Sequence, residues 1–107
     1  MKTITYNKLV RDRIPEIIES KGNTCVTEVL SDAAYLAMLD AKLTEELAEY
    51  HADGNPEELA DLLEVIYAAA KARGVSAEEL DGIRKEKAAK RGRFDQKILL
   101  VDVTETE

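Results

Sequence analysis

The sequence contains few of the residues that form disulfides or soft-metal sites. It has one cysteine, one histidine and no tryptophan among 107 residues. A lone cysteine excludes an internal disulfide and a zinc site built from cysteines, and one histidine cannot form a histidine cluster. Because aromatic residues make up only 5% of the chain, the core must depend on Leu, Ile, Val and Ala. This cysteine usage predicts a reduced, cytoplasmic compartment.

Long apolar runs and an excess of basic residues are also missing. No apolar run approaches the roughly 20 residues of a membrane-spanning helix, and residues 1–8 lack the apolar core of a signal peptide. Acidic residues outnumber basic ones by 22 to 15, for a net charge of −7. Such a chain is not expected to coat a nucleic acid polymer or to dock on a membrane by charge. We therefore expect neither partner and no secretory leader.

The chain length predicts a single domain covering residues 1–107. Hydrophobic residues make up 45% and charged residues 35% of the chain, which is typical of a helix-rich fold with small aliphatic cores. A domain of this size is only marginally stable alone. Association of subunits would offset this, so we expect a homo-oligomer, either a dimer or a tetramer.

Helix-capping residues and breakers divide the chain into four helices. The first is predicted from Pro15 to Lys21, because proline suits the first helical turn and Gly22 follows. The second begins after Ser31 and runs to about residue 52, and the third runs from Pro56 to about residue 73. The fourth opens with the capping box Ser76-x-x-Glu79 and ends near residue 91.

Three stretches outside the helices read as short strands. Residues 2–10 alternate loosely, and residues 24–30 and 97–103 are rich in β-branched and aliphatic side chains. The predicted fold class is therefore mainly α: a bundle of about four helices with peripheral β-strands at the N-terminus, near 24–30 and near 97–103.

Acidic residues cluster at the apolar border of the second helix. A helix turns by about 100° per residue, so Glu49 lies about 40° and Glu46 about 100° from Glu45. The apolar stripe that includes Leu43 and Leu47 spans about 120° to 200° on the same wheel. Glu46 thus borders the apolar stripe, and Glu49 and Glu45 lie successively farther from the stripe around the helix.

The third helix has a similar arrangement. Glu58 lies within the edge of the apolar arc, which includes Leu62 and Val65, and Asp61 lies just outside it. The short turn at residues 53–56 makes the second and third helices antiparallel. One acidic face can then lie opposite the other.

Clustered carboxylates beside a core repel one another and lose solvation. Protonation, basic side chains or a hard divalent cation can compensate for this. Mg²⁺ and Mn²⁺ prefer oxygen ligands, and glutamates on bundle helices are a known source of them. The other interpretation is structural: Glu58 completes a capping box with Asn55, and the second-helix acids form a solvated face.

Basic residues fall into two groups. Six bases and one acid lie between Arg84 and Arg93, and Lys8, Arg11 and Arg13 lie near the N-terminus. Phosphate groups need such donors. Bases near a helix C-terminus also complement its dipole without binding any ligand, so both interpretations stay open for the first group.

Three segments together resemble the all-α nucleoside triphosphate pyrophosphohydrolases, a superfamily that includes MazG-like proteins, dimeric dUTPases and phosphoribosyl-ATP pyrophosphohydrolase. The first is Glu45-Glu46-x-x-Glu49 followed by Glu58-x-x-Asp61. The other two are residues 6–15, YNKLVRDRIP, and residues 90–94, KRGRF, which resemble the compact MazG-like branch. The resemblance covers nearly the whole chain. Only eight residues separate Glu49 from Glu58, as in members with a short turn.

This resemblance implies Mg²⁺-dependent cleavage between the α- and β-phosphates of a nucleotide, with Mn²⁺ as the alternative cation. The products would be a nucleoside monophosphate and pyrophosphate, and the role would be removal of unwanted nucleotides. Glu45 would orient or deprotonate the attacking water. The implied metal ligands are Glu46, Glu49, Glu58 and Asp61, and the candidate substrate- and phosphate-binding residues are Lys8, Arg11, Lys42, Lys90 and Arg91.

The sequence leaves two alternatives open. The chain could hydrolyse phosphoribosyl-ATP, or it could be a helical module without catalysis that binds a metal ion, a nucleotide or a partner protein. A nucleotide substrate panel separates these hypotheses.

Overall fold

A computed structural model describes residues 1–106, so Glu107, the last residue of the predicted domain, lies outside it. Four helices follow one another along the chain: α1 (Ile14–Ser20), α2 (Asp32–Asp53), α3 (Pro56–Ala72) and α4 (Ala77–Arg91). This confirms the predicted mainly α, four-helix architecture. None of these helices is both long and apolar enough to cross a bilayer.

The helix boundaries follow from their caps. The Ser31 hydroxyl accepts a hydrogen bond from the backbone N–H of Ala34 at the start of α2. Ser76 and Glu79 form the predicted capping box of α4, with bonds of 3.1 and 3.3 Å. These bonds satisfy backbone donors that would otherwise have no partner in the first turn of each helix.

The turn between α2 and α3 positions the acidic residues. Gly54 has a φ of 67° in the left-handed region, where glycine carries no steric cost, and it ends α2. The Asn55 side chain then accepts from the N–H of Glu58 at 3.1 Å, and Pro56 is the first residue of α3. α3 folds back against α2, and α4 packs against α3.

The core within a single chain is small. Leu39, in the middle of α2, is the one apolar side chain classed as buried in residues 1–106, with 3% of its surface exposed. Leu43 on α2 and Leu62 and Val65 on α3 are partly covered. The molecule is elongated, with extents of 70 × 31 × 24 Å.

The predicted strands at 2–10, 24–30 and 97–103 are wrong for the chain as described, because residues 1–106 contain no strand. A β-prone segment becomes a strand only when a second segment pairs with its backbone, and none of these stretches has such a neighbour. Val26 and Val29 are fully exposed, and Ile98 to Val101 are 74–84% exposed. These segments have local β-propensity, but no other segment of residues 1–106 pairs with them.

Candidate metal centre

The acids of α2 line one side of that helix as the spacing predicts. Glu45, Glu46 and Glu49 each offer a carboxylate oxygen, and these atoms lie within 4.8 Å of one another. Their exposure differs: Glu46 is buried, Glu45 is half-buried and Glu49 is exposed. Glu46 is therefore the member that faces α3.

The first turns of α3 bring two further acids to the same place. Glu46, Glu58 and Asp61 form a second group whose oxygens also lie within 4.8 Å of one another. Glu46 belongs to both groups and links them. We call the five residues Glu45, Glu46, Glu49, Glu58 and Asp61 the acidic cluster.

Among residues 1–106, two oxygens of the acidic cluster are buried and have no hydrogen-bond partner: Oε2 of Glu46 and Oε2 of Glu58. Only 6% of the surface of Glu46 is exposed. A buried acceptor without a partner costs about 1–3 kcal/mol, and more when it is charged. Binding of a proton or of a cation would offset this cost.

Three basic side chains border the acidic cluster. Lys42 Nζ lies 3.3 Å from Oε1 of Glu45 and 3.3 Å from Oε1 of Glu46. Lys8 Nζ lies 3.3 Å from the same Glu45 oxygen, so Glu45 lies between two ammonium groups.

Arg11 pairs with the α3 part of the acidic cluster. Its Nη2 donates to Oδ1 of Asp61 at 2.7 Å. The N-terminal segment that carries Lys8 and Arg11 is therefore held across both acidic helices, although 37 and 50 residues separate the paired positions.

The crowding of carboxylates shifts two pKa values upward. The negative charge of Glu46, and a hydrogen bond shared with it, raise the pKa of Glu49. Loss of solvation raises the pKa of Glu58, and the charges of Glu49, Asp53 and Asp61 add to this effect. Both groups therefore hold protons at a higher pH than an ordinary glutamate.

The pKa of Glu45 shifts in the opposite direction, downward. Partial burial acts to raise its pKa, but the hydrogen bonds and positive charges of Lys8 and Lys42 together outweigh burial and lower it. Glu45 is consequently ionised throughout the neutral range, while the two raised carboxyls are the first of these groups to gain a proton on acidification.

The donor set of the acidic cluster fits a hard divalent cation. All its ligand atoms are carboxylate oxygens, the type that Mg²⁺ and Mn²⁺ prefer. Oxygens bound to one Mg²⁺ at about 2.1 Å lie about 3–4 Å apart. Within each group of three, where the oxygens lie within 4.8 Å of one another, a small inward movement of side chains would reach such separations. The chemistry of the set does not by itself distinguish among such cations.

The remaining two predicted phosphate-binding residues lie elsewhere on the chain. Lys90 Nζ pairs with Glu86 on its own helix at 3.1 Å. Arg91 lines a hollow of about 240 Å³ together with residues of the C-terminal segment, among them Gly92 and Gln96. Within residues 1–106 neither base has an ion pair with the acidic cluster. Their predicted role in binding substrate stays a prediction.

One residue that bears on the cluster was absent from the predictions. Asp53, at the end of α2, contributes to the raised pKa of Glu58. The signal was present in the sequence, since Asp53 follows Glu49 by four residues and so lies on the same helical face.

Comparisons with known proteins leave the family open. No family model matches the chain, and no solved structure matches it. The chain is similar to an uncharacterized protein of Mycolicibacterium smegmatis, with 60% identity over 45 residues. That stretch covers 42% of this chain and 46% of the other protein's length. The resemblance to the all-α pyrophosphohydrolases therefore stays a prediction from the motifs.

Proposed function

We propose that this protein is a nucleotide pyrophosphohydrolase of the MazG-like, all-α type that depends on Mg²⁺ and cleaves the linkage between the α- and β-phosphates. One observation carries the proposal. Glu46 links two groups of carboxylates from two helices, and within residues 1–106 two buried oxygens of these groups have no hydrogen-bond partner. The order and spacing of the three motifs give this arrangement its enzymatic interpretation.

In this proposal, the cation ligands are Glu46, Glu49, Glu58 and Asp61. Bound there, the cation would neutralise the phosphate chain of the substrate and stabilise the charge that develops on its oxygens. Glu49 and Glu58 must be ionised to serve as ligands, and their raised pKa values mean that a proton competes with the cation up to a higher pH than at an ordinary glutamate.

Glu45 is suited to position the attacking water. Its carboxylate is ionised at neutral pH because Lys8 and Lys42 lower its pKa, so it accepts a hydrogen bond from water. The same lowering makes it a weak base, which favours orienting the water over complete removal of its proton. Attack of that water on phosphorus would break the α–β anhydride bond and release a monophosphate and pyrophosphate.

The bases bordering the cluster are the phosphate donors in this proposal. Lys8 and Arg11 are both exposed and lie directly beside the acids. Arg11 can donate two parallel hydrogen bonds to a phosphate, and Lys42 supplies a second charge from α2. A role in removing unwanted nucleotides in the cytoplasm would follow from such an activity.

The test is turnover of a nucleotide panel with Mg²⁺ or Mn²⁺, in which pyrophosphate and orthophosphate are measured separately. We expect pyrophosphate in an amount equal to the monophosphate. Phosphoribosyl-ATP belongs in the panel, because preference for it would identify the alternative hydrolase. Orthophosphate as the sole phosphate product would contradict cleavage at the α–β linkage.

A matched pair of variants makes the assay specific to the acidic cluster. Glu58→Gln removes a proposed ligand, and Glu57→Gln makes the same change one residue earlier, at an exposed position of the same first turn. Both lose one favourable charge near the helix N-terminus, so that effect cancels. We expect turnover to be lost only in Glu58→Gln. Cation binding without turnover of any nucleotide would instead identify a binding module.

A further inference from the structure

The N-terminal segment reaches the acidic cluster but is attached to it at few points. Residues 1–11 form neither helix nor strand, and all of them except the half-buried Leu9 are exposed. Within residues 1–106, their backbone makes no hydrogen bond with the backbone of α2 or α3. Ion pairs of Lys8 and Arg11 with the acidic cluster join them to these helices. We call residues 1–11 the basic strap.

Both ion pairs of the basic strap are open to solvent. The side chains of Lys8 and Arg11 are 41% and 57% exposed. Pairs this exposed each shift an equilibrium by about fivefold or less, so the attachment is weak and reversible. Lys42 differs, because it belongs to α2 and its side chain is only 17% exposed. It stays beside the acidic cluster whether or not the basic strap is attached.

A cation in the acidic cluster and the two bases of the basic strap oppose each other. Arg11 pairs with Asp61, which is itself a proposed cation ligand, and Lys8 places a positive charge beside Glu45. The attached strap therefore lowers the affinity for a cation. Such coupling is reciprocal, so a bound cation weakens the attachment of the strap by the same factor. Since that attachment depends on two weak pairs, a bound cation shifts the strap toward its detached state.

We propose that the basic strap closes on the cation-free acidic cluster and detaches when a divalent cation binds there. This inference rests on the cation site of the proposed function. Its consequence is an order of binding. The cation binds first and frees the Lys8 ammonium and the Arg11 guanidinium, which then pair with phosphate groups. In the cation-free chain, carboxylates occupy both bases.

The first test measures motion of the basic strap with Mg²⁺ alone, so that it needs no turnover. The complete chain, labelled with ¹⁵N, gives backbone order parameters at equal ionic strength with and without Mg²⁺. We expect those of residues 8–11 to fall below about 0.6 when Mg²⁺ is bound, while those of α4 stay at about 0.85. Unchanged order parameters in a chain that binds Mg²⁺ by calorimetry would overturn the inference and leave the cation site standing.

A matched pair of variants locates the attachment. Arg11→Gln removes a base that pairs with the acidic cluster, and Arg13→Gln makes the same change at a base that pairs with Glu16 outside it. We expect Arg11→Gln to raise Mg²⁺ affinity by about two- to fivefold and to loosen the strap in the cation-free chain. Arg13→Gln should match the wild type in both measurements. Equal gains in the two variants would indicate a general charge effect and refute the strap.

Inorganic pyrophosphate tests the order of binding. By calorimetry, Arg11→Gln should weaken pyrophosphate binding about tenfold or more in the Mg²⁺-loaded chain, because a charged hydrogen bond is lost. The same variant should have no effect in the cation-free chain, where Asp61 occupies Arg11. An equal loss in both conditions would contradict the proposed order.

These results separate the inference from the proposed function. A strap that detaches on Mg²⁺ binding in a chain without nucleotide turnover would support the inference and contradict the proposed activity. Absence of Mg²⁺ binding would overturn both.

Discussion

Replacing Glu46 by glutamine tests the acidic cluster most directly. The substitution keeps the shape of the side chain and removes its charge, at a residue that is 6% exposed and links both acidic groups. Lys42 keeps Glu45 as a partner at 3.3 Å, so no base is left isolated. The new amide can donate a hydrogen bond toward the neighbouring carboxylates. We therefore expect the metal-free free energy of unfolding to change by no more than about 1 kcal/mol, toward greater stability.

The response to cation should change far more. At a free concentration of about 100 times Kd, a bound ligand stabilises the wild-type protein by about 2.7 kcal/mol. For a domain of about 100 residues this raises the melting temperature by about 10–20 °C. A hundredfold loss of affinity in Glu46→Gln would leave about 0.4 kcal/mol at the same concentration, or roughly 2–3 °C.

Thermal melts by circular dichroism, with and without Mg²⁺ or Mn²⁺, measure this difference at one fixed protein concentration. Glu64→Gln is the control, because it makes the same change at an exposed position of α3 outside the acidic cluster. The control should keep the full wild-type shift. An undiminished cation response in Glu46→Gln would refute the role of Glu46 as a ligand.

Three further predictions follow from the same contacts. Cation affinity, measured by calorimetry, should fall on acidification through the raised pKa values of Glu49 and Glu58. The metal-free protein should lose stability as pH rises through the same range, because the folded state holds these protons more tightly than the unfolded state. A flat pH profile would contradict both statements. Arg11→Gln should cost under about 1 kcal/mol of stability, since its pair with Asp61 is exposed. Arg11→Gln should strengthen cation binding while weakening nucleotide binding. If the cation and nucleotide affinities instead change in the same direction, Arg11 and the cation do not compete for Asp61. Ser76→Ala should destabilise the chain by about 1 kcal/mol in urea unfolding by removing a helix cap, and an unchanged midpoint would show that the cap contributes nothing.

Local chemistry made the helices predictable. Ser31, Asn55 and the Ser76 capping box satisfy backbone donors within three residues of themselves, so their effect needs no distant partner. α1 shows the limit of such reasoning, because it begins at Ile14 rather than at Pro15, after Arg13 with no side-chain cap. Helix periodicity alone also places Glu46 and Glu58 at the apolar border of their helices.

The sequence does not predict which distant segments of the chain contact each other. The strands expected near 24–30 and 97–103 depend on a neighbour that local propensity does not specify. The contacts from Lys8 to Glu45 and from Arg11 to Asp61 join parts of the chain 37 and 50 residues apart, and no periodicity encodes them.

The sequence by itself determined four helices and the faces on which their acids lie, because caps and helical periodicity act over one or two turns. The short turn already predicts that α3 folds back on α2, but only the tertiary structure decided that Glu46 is buried beside Glu58 and that, within residues 1–106, their Oε2 oxygens have no hydrogen-bond partner. It also decided that Leu59, Leu63 and Ile66 of α3 stay partly exposed within one chain. Burial depends on which helix lies opposite, and that is a property of packing between segments rather than of any one of them.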